Sequence, residues 1–281
     1  MEEARARRLP RDSPRKVAAA QRQRIEGPLP DFVVIGTQKG GTSFFYRLLT
    51  KHPLVKQAAV KEIHFFDKQF AQGPGWYRRC FSEGGRVDGQ RTITGEASPS
   101  YLFNPHVPER MVRIVPKARL IALLRNPVDR AYSHYQMQVR RGTETRSFEK
   151  ATEEEEVFLA EGQRNSIAKT SSSLASGFYS EPLEPYLARG LYAEQLERFS
   201  FFAEREHLLV VKSEDFFTRP SEVLDGVLTL LKLPPFEPTL APPAGRPTYE
   251  PVHPATRRRL EGFFAPHNEH LHDLLATDFG W

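Results

Sequence analysis

The sequence predicts an α/β fold in which helices cover both faces of a central parallel sheet. Short apolar runs alternate with segments whose apolar residues recur at helical spacing. The run Arg119–Leu124, bounded by Pro116 and Pro127, is apolar after its first residue, as in a strand buried on both faces. The chain has 281 residues, which is a routine size for one α/β domain.

Four strands are predicted from these short apolar runs. The first stops at Gly36, and the second follows a polar, glycine-rich stretch, residues 82–91, which we expect to be a surface loop. The four runs are Phe32–Ile35, Thr92–Glu96, Arg119–Leu124 and His207–Val211.

The predicted helices begin or end at proline in several places. The first ends at His52-Pro53, and another runs from Pro127, a favoured first-turn residue, to about Arg141. Two segments rich in Ser or Pro, residues 162–177 and 234–251, are expected to be irregular. Further helices are predicted at Pro105–Val115, Leu191–Phe202, Pro220–Leu231, Ala255–Phe264 and Asn268–Leu275.

The net charge of +5 comes from the N-terminus. Residues 1–24 contain eight basic and three acidic side chains, so the rest of the chain is formally neutral. We expect residues 1–27 to form a disordered basic tail and residues 28–281 to form a single domain. The tail could also contact an acidic surface or nucleic acid, but the neutral remainder argues against polyanion binding as the main function. We therefore expect no nucleic-acid partner.

The composition also indicates the cellular compartment in which the protein is expected. No apolar run approaches the ~18 residues of a membrane span, and the basic tail lacks the apolar segment of a secretory signal. Cys80 is the only cysteine, which excludes an internal disulfide and fits a reducing compartment. We expect a cytoplasmic protein.

The most informative motif is the sequence GTQKGGTS, which spans Gly36 to Ser43. It joins the first predicted strand to the first predicted helix, so that backbone N–H groups, a helix N-terminus and Lys39 meet at one point. Such a point suits a phosphate or sulfate group. A Walker A loop places its lysine after the second glycine, whereas Lys39 precedes the pair Gly40-Gly41. The loop is therefore unlike the ATP-binding version.

A second motif, RNPVDRAYSHY from Arg125 to Tyr135, follows the strand Arg119–Leu124 directly. Open α/β sheets bind ligands at the carboxyl ends of their strands. Arg125 and Ser133 could there hold a second phosphate through charge-assisted hydrogen bonds. In the plainer alternative, Arg125 caps a helix or forms a salt bridge and Ser133 faces solvent.

A third motif, KEIHFFD from Lys61 to Asp67, groups three ionisable side chains. Glu62 could act as a general base, and His64 or Asp67 could position a substrate. A purely structural role is the alternative for each of them. No metal-ligand spacing occurs, so no metal is expected. A late pair, Gly245-Arg246, could fold over a phosphate or could be an ordinary surface feature.

Taken in order, these segments resemble the sulfotransferases that use 3′-phosphoadenosine 5′-phosphosulfate (PAPS). They are most similar to the heparan sulfate N- and 3-O-sulfotransferase branch. The resemblance also rests on GEASPSY (Gly95–Tyr101), SEDF (Ser213–Phe216) and HPATRRRLEGFFAPHNEHL (His253–Leu271), and runs from about Pro30 to Trp281. It implies a P-loop-like three-layer sandwich with a central parallel sheet.

The resemblance also implies a role for each motif. Arg125 and Ser133 would hold the 3′-phosphate, and Gly245 and Arg246 would close over the donor. Glu62 would be the catalytic base, with Lys39 and His64 as further catalytic residues, and Glu62, His64 and Asp67 would meet the acceptor. The 5′-phosphosulfate would lie on Lys39, Gly40, Gly41, Thr42 and Ser43.

The implied reaction moves the sulfuryl group of PAPS to a hydroxyl or amine, without a metal, and leaves adenosine 3′,5′-bisphosphate (PAP). We expect a carbohydrate acceptor, either a glycan or a glycolipid. Ala97 and Ala244 stand where the heparan-type enzymes have lysine, and the C-terminal cysteine pair of the animal enzymes is absent. Two cations of the heparan-type site are therefore missing. The animal enzymes also have a Golgi membrane anchor, and because no such apolar segment occurs in this sequence, we expect a soluble bacterial homologue. The alternatives are a sulfotransferase for a non-carbohydrate small molecule, a P-loop nucleotide phosphotransferase and a non-catalytic polyanion-binding protein.

Overall fold

The computed structural model describes residues 27–168, 184–238 and 249–281, with side chains described in these ranges except for 162–168. Five parallel strands form one sheet, so the parallel sheet predicted from the sequence is confirmed. Its strands are β1 (Phe32–Gly36), β2 (Val55–Gln57), β5 (Ile93–Ala97), β6 (Arg119–Leu124) and β7 (Leu208–Lys212), and a separate hairpin contains β3 (Arg86–Val87) and β4 (Gln90–Arg91). The order in the sheet is β2-β5-β1-β6-β7.

Alternating side chains of the central strands explain why the sheet is buried on both faces. In β1, Val33 and Ile35 pack into one hydrophobic cluster, while Phe32 and Val34 pack into the other. Strand β6 alternates in the same way, because successive strand side chains point to opposite faces. Both strands read as nearly continuous apolar runs for this reason.

Helices cover each face, so the molecule has the three layers that were expected. One face packs against α1 (Thr42–Leu49), α8 (Ser213–Thr218) and α9 (Pro220–Leu231). The other face packs against α2 (Gly73–Arg78), α3 (Val107–Ile114), α6 (Tyr192–Glu197), α7 (Ser200–Ala203) and the end of α10 (Pro254–Leu275). The remaining helices are α4 (Pro127–Arg141) and α5 (Phe148–Ala168), with 3₁₀ turns at Phe70–Gln72 and Ala188–Gly190.

Two predicted loops contain regular structure. Within residues 82–91, β3 and β4 form a hairpin whose turn, Asp88-Gly89, has positive φ at both residues. Helix α5 extends to Ala168, seven residues into the predicted loop at 162–177. Its first turns are fixed by packing of Phe148 and Ala151, and adding further turns to a formed helix costs little.

Two predicted helical segments are divided differently. The predicted helix Leu191–Phe202 breaks into α6 and α7, and the tight turn between them places both Phe199 and Phe202 in the core. The two predicted C-terminal helices are one helix, α10, which continues through Pro266. A single buried stripe extends past the proline, and it consists of Thr256, Leu260, Phe264, Asn268 and Leu271. Packing of that stripe outweighs the one backbone hydrogen bond that proline removes.

The predicted tail and domain boundary fall mostly outside the described residues, and the boundary stays a prediction. Gly27 is the first described residue, and its carbonyl accepts a hydrogen bond from Arg78. Across the described ranges, the helices include none with the length and apolar content needed to cross a bilayer. Cys80 is buried.

Candidate active site

Three of the predicted motifs, GTQKGGTS, RNPVDRAYSHY and KEIHFFD, meet at the carboxyl ends of the central strands. The chain places β5 on one side of β1 and β6 on the other, so a crevice opens at the end of β1. Lys39 follows β1, Ser98 follows β5 and Arg125 follows β6. Helix α1 begins at the same place, with Gly41 as its N-cap and no acidic residue in its first turn.

The loop that follows β1 requires both of its glycines. A Cβ atom on Gly40 would lie 2.5 Å from the carbonyl oxygen of Leu123, in β6. Gly41 has φ 89°, in the left-handed region, and a Cβ there would lie 2.8 Å from the ring of Phe217. Lys39 also adopts a left-handed φ of 73°, which costs free energy for a residue with a side chain. The fold therefore holds the lysine backbone in an unfavourable conformation at this point.

The charge around Lys39 is one-sided. Burial and then the positive charges of the nearby Arg140, Arg125, Arg141 and Arg130, in that order, together lower its pKa to about 8. Among the described residues no carboxylate forms an ion pair with Lys39. A partly buried lysine that faces four arginines fits a polyanionic ligand, because such a ligand would supply the missing negative charge.

Arg125 contacts this cationic loop directly. Arg125 Nη1 donates to the carbonyl oxygen of Lys39 at 3.3 Å, and the Arg125 carbonyl accepts from the Tyr192 hydroxyl at 2.8 Å. The cap of α4 is Asn126, whose Oδ1 accepts from two backbone N–H groups, so Arg125 does not cap that helix. Ser133 is buried rather than facing bulk solvent.

Glu62, His64 and Asp67 form a continuous chain of hydrogen bonds. His64 Nε2 lies 2.9 Å from Glu62 Oε2, and His64 Nδ1 lies 3.0 Å from Asp67 Oδ2. Ser100 donates to the same Asp67 oxygen at 2.6 Å. The structure thus brings together all three predicted residues of this motif.

Within this chain of hydrogen bonds, His64 is the cation and the two carboxylates, Glu62 and Asp67, are the anions. Burial alone would lower the pKa of His64, but hydrogen bonds to Asp67 and Glu62 outweigh it and raise the pKa to about 9. Burial alone would raise the pKa of Glu62, but the His64 hydrogen bond and the charge of Lys61 hold it below its usual value. At neutral pH, Glu62 is therefore a carboxylate that can accept a proton, and His64 is an imidazolium that orients it.

The buried carboxyl group of Glu96 is linked to the His64 backbone through Ser98. Glu96 accepts hydrogen bonds from the hydroxyls of Tyr77, Tyr101 and Ser98 at 2.6, 3.1 and 2.7 Å. Burial raises the pKa of Glu96 to about 7. Ser98 Oγ in turn accepts the backbone N–H of His64 at 3.1 Å, where His64 has φ 56°. Glu96 and Ser98 together hold the His64 backbone in this strained conformation.

Sequence reasoning did not select several residues that the fold brings to the site. Lys61 Nζ donates to Ser43 Oγ at 3.0 Å, and its place beside Glu62 was the only sequence signal. Arg130 is fully buried and donates to the Tyr186 carbonyl, while its Nε and Nη1 atoms have no partner among the described residues. Arg189 lies over the Phe103 ring at 4.4 Å.

Gly245 and Arg246 lie within residues 239–248, outside the described residues, so the structure does not place them. Among the described residues, no cluster of His, Cys, Asp or Glu side chains has the geometry of a metal site.

Known proteins that are similar to this chain are sulfotransferases. The sulfotransferase domain model matches residues 29–241. A crystal structure of a sulfotransferase from Alicyclobacillus acidocaldarius superimposes with a TM-score of 0.67 at 31% identity, covering 90% of this chain and 98% of that one.

Curated relatives match most of this chain at lower identity. Membrane-associated sulfotransferase kil1 of Dictyostelium discoideum is 27% identical over 92% of this chain and 68% of its own length. Mouse heparan sulfate glucosamine 3-O-sulfotransferase 3A1 is 29% identical over 90% of this chain and 64% of its own length. This chain therefore spans about two thirds of these relatives. The matched domain covers more than half of the chain, and the chain belongs to the sulfotransferase family.

Proposed function

We propose that this protein transfers the sulfuryl group of PAPS to a hydroxyl or amine of a carbohydrate acceptor, a glycan or a glycolipid. One observation carries the proposal: a cationic loop whose lysine has no acidic partner in the described part of the chain lies beside a carboxylate that can accept a proton. Lys39 and Arg125 supply the cations, and Glu62 supplies the base. Lys61 connects the two parts, because it contacts both Ser43 and Glu62.

The residues present fit both charged ends of PAPS. The 5′-phosphosulfate would be held by Lys39, Gly40, Gly41, Thr42 and Ser43, where the glycines bring the backbone close and α1 presents its N-terminus. Arg125 and the buried hydroxyl of Ser133 would hold the 3′-phosphate. We also assign Gly245 and Arg246 to the donor, on the sequence resemblance alone.

The reaction balances without a metal. The acceptor oxygen or nitrogen forms a bond to sulfur while the bond from sulfur to the bridging oxygen of the phosphate breaks. The electron pair of that broken bond leaves with PAP, and the acceptor proton passes to a carboxylate oxygen of Glu62. Lys39 would offset the charge that grows on the departing phosphate, as fixed charges do in other preorganised sites. By analogy with phosphoryl transfer, positioning and charge stabilisation would supply most of the rate enhancement.

The carbohydrate acceptor rests on the relatives. Several are named heparan sulfate glucosamine 3-O-sulfotransferases and match 90% or more of this chain. Asp67 and His64 lie next to Glu62, where they could bind an acceptor hydroxyl. Ala97 leaves this chain without one cation of the heparan-type site, so the preferred glycan need not be heparan sulfate. We include a cytoplasmic location in the proposal because the single cysteine, Cys80, is compatible with a reducing compartment.

An acceptor screen with PAPS labelled in its sulfuryl group tests the proposal. Glycans, glycolipids and small phenols are compared, with wild-type protein and Glu62→Gln run in parallel. We expect transfer to a carbohydrate, and a loss of about 10²–10⁴-fold in turnover for Glu62→Gln, the usual contribution of a general base. Binding of PAP, measured by calorimetry, should stay nearly unchanged in that variant.

Three results would count against parts of this proposal. Transfer only to phenols would replace the carbohydrate acceptor by a small molecule. Full turnover by Glu62→Gln would remove Glu62 as the base. Thermal stabilisation by ATP with magnesium, and none by PAP, would contradict PAPS as the donor and favour a nucleotide phosphotransferase.

A further inference from the structure

Lys61 lies between the two halves of the candidate site. Its Nζ atom is 3.0 Å from Ser43 Oγ, in the first turn of α1, and 3.5 Å from Glu62 Oε1. Ser43 is 18 residues away in the sequence. The lysine therefore bridges the donor loop and the base through a tertiary contact that its position in the sequence does not require.

The surroundings of Lys61 make it more than a surface ion pair. Only 21% of its side chain is exposed, and burial lowers its pKa despite the opposing charges of Glu62 and Glu96. A partly desolvated cation interacts more strongly with a nearby anion than an exposed one does, because less water screens the charge. Burial of the charged ammonium group next to the loop costs free energy of desolvation, which the rest of the fold must offset.

Lys39 and Lys61 have different neighbours. Lys39 lies near four arginines, including Arg125, and has no acidic partner among the described residues. Lys61 lies on the side of Glu62, where the acceptor would deliver its nucleophilic atom. A sulfuryl group that moves from a phosphate on the loop toward an acceptor near Glu62 would lie beside the Lys61 ammonium group, because its Nζ atom contacts both Ser43 and Glu62.

We propose that Lys61 is a second catalytic cation, which binds the oxygens of the sulfuryl group while it moves from the donor phosphate to the acceptor. This inference rests on the proposed function. The bonds that form and break are those already given, and the acceptor proton still goes to Glu62. Lys61 keeps its own proton, and its ammonium group stabilises negative charge on the three non-bridging oxygens of the sulfuryl group.

The test compares Lys61→Met and Lys61→Arg with Lys56→Met as a matched control. Lys56 lies in β2, where Thr94 Oγ1 donates to its carbonyl oxygen, and its ammonium group has no hydrogen bond or ion pair among the described residues. We expect Lys61→Met to lower kcat at saturating PAPS by about 10²–10³-fold, the usual cost of removing one charge-stabilising donor. Lys61→Arg should recover part of that loss, and Lys56→Met should behave like the wild type.

Binding separates this role from a structural one. PAP lacks the sulfuryl group, so Lys61→Met should bind PAP like the wild type and bind PAPS more weakly. A wild-type kcat in Lys61→Met, or an equal loss of affinity for PAP and PAPS, would overturn the proposal. If the methionine variant does not fold, Lys61→Gln keeps a donor for Ser43 and is expected to show the same pattern.

Failure of the proposed function gives a different result. In that case the wild-type protein transfers no sulfuryl group and does not bind PAPS, and the Lys61 proposal is refuted with it. If the wild type is active and binds PAPS, the kcat of Lys61→Met and its affinities for PAP and PAPS decide whether the Lys61 proposal holds.

Discussion

Replacing His64 by asparagine should change how stability depends on pH. In the folded protein the imidazole lies between Glu62 and Asp67, at 2.9 and 3.0 Å, and its pKa is raised from 6.5 to about 9. A group whose pKa is higher in the folded state binds its proton more tightly there. Its stabilising contribution is complete below pH 6.5 and is lost as the pH rises through about 9.

The size of the effect follows from the difference in pKa. Each pKa unit corresponds to about 1.4 kcal/mol, so a rise from 6.5 to about 9 gives about 3 kcal/mol. The His64 side chain is 22% exposed, and screening by water reduces the expected contribution to about 2 kcal/mol. This is a measurable part of the stability of a protein, which is typically about 5–15 kcal/mol.

The assay is urea unfolding of wild type and His64→Asn at several pH values between 6 and 10. The difference between the two proteins matters, because Lys39 works in the opposite direction. Its pKa is lowered to about 8, so its unfavourable contribution is present below pH 8 and disappears as the pH rises toward 10.5. Lys39 is present in both proteins and cancels in the difference. We expect the advantage of the wild type to fall by about 2 kcal/mol between pH 6.5 and 9.5. A difference that stays constant over this range would refute the reasoning.

Two further predictions concern residues around the crevice. Arg125→Ala should weaken binding of PAP by about 10–100-fold, because it removes a hydrogen bond to a charged group. Binding of adenosine 5′-monophosphate, which has no 3′-phosphate, should change little. Calorimetry measures both affinities, and equal losses for the two nucleotides would contradict the assignment of Arg125 to the 3′-phosphate. The second variant, Ser98→Ala, leaves the backbone N–H of His64 without its acceptor and removes one hydrogen-bond donor to Glu96. We therefore expect it to lower the free energy of unfolding by about 1–3 kcal/mol and to lower kcat. Ser98→Thr keeps the hydroxyl and should restore kcat, whereas a Thr variant as slow as the Ala variant would argue against this positioning role.

The parts of the site that the sequence could predict are local in the chain. Lys39, Gly40 and Gly41 lie in one loop between a strand and a helix, so spacing alone places them together. Strand β6 and the start of α4 were predictable in the same way, because the apolar run and Pro127 mark their bounds. Each of these features depends on neighbours within a few residues.

The missed features depend on contacts between distant segments. Lys61 reaches Ser43, and Ser98 reaches the His64 backbone 34 residues earlier, which no pattern within one segment shows. Helix α10 passes through Pro266 because a buried face on both sides of the proline packs against the domain. Propensity predicts a break there, and tertiary packing overrides it.

The hydrogen bond from Arg125 to the Lys39 carbonyl has a kinetic consequence. It joins the residue proposed for one end of the nucleotide to the residue proposed for the other, so binding at the two ends is energetically coupled. The leaving product, PAP, keeps both phosphates and therefore keeps that coupling. We expect it to dissociate slowly and to compete strongly with fresh PAPS, so that product release limits turnover at saturating acceptor.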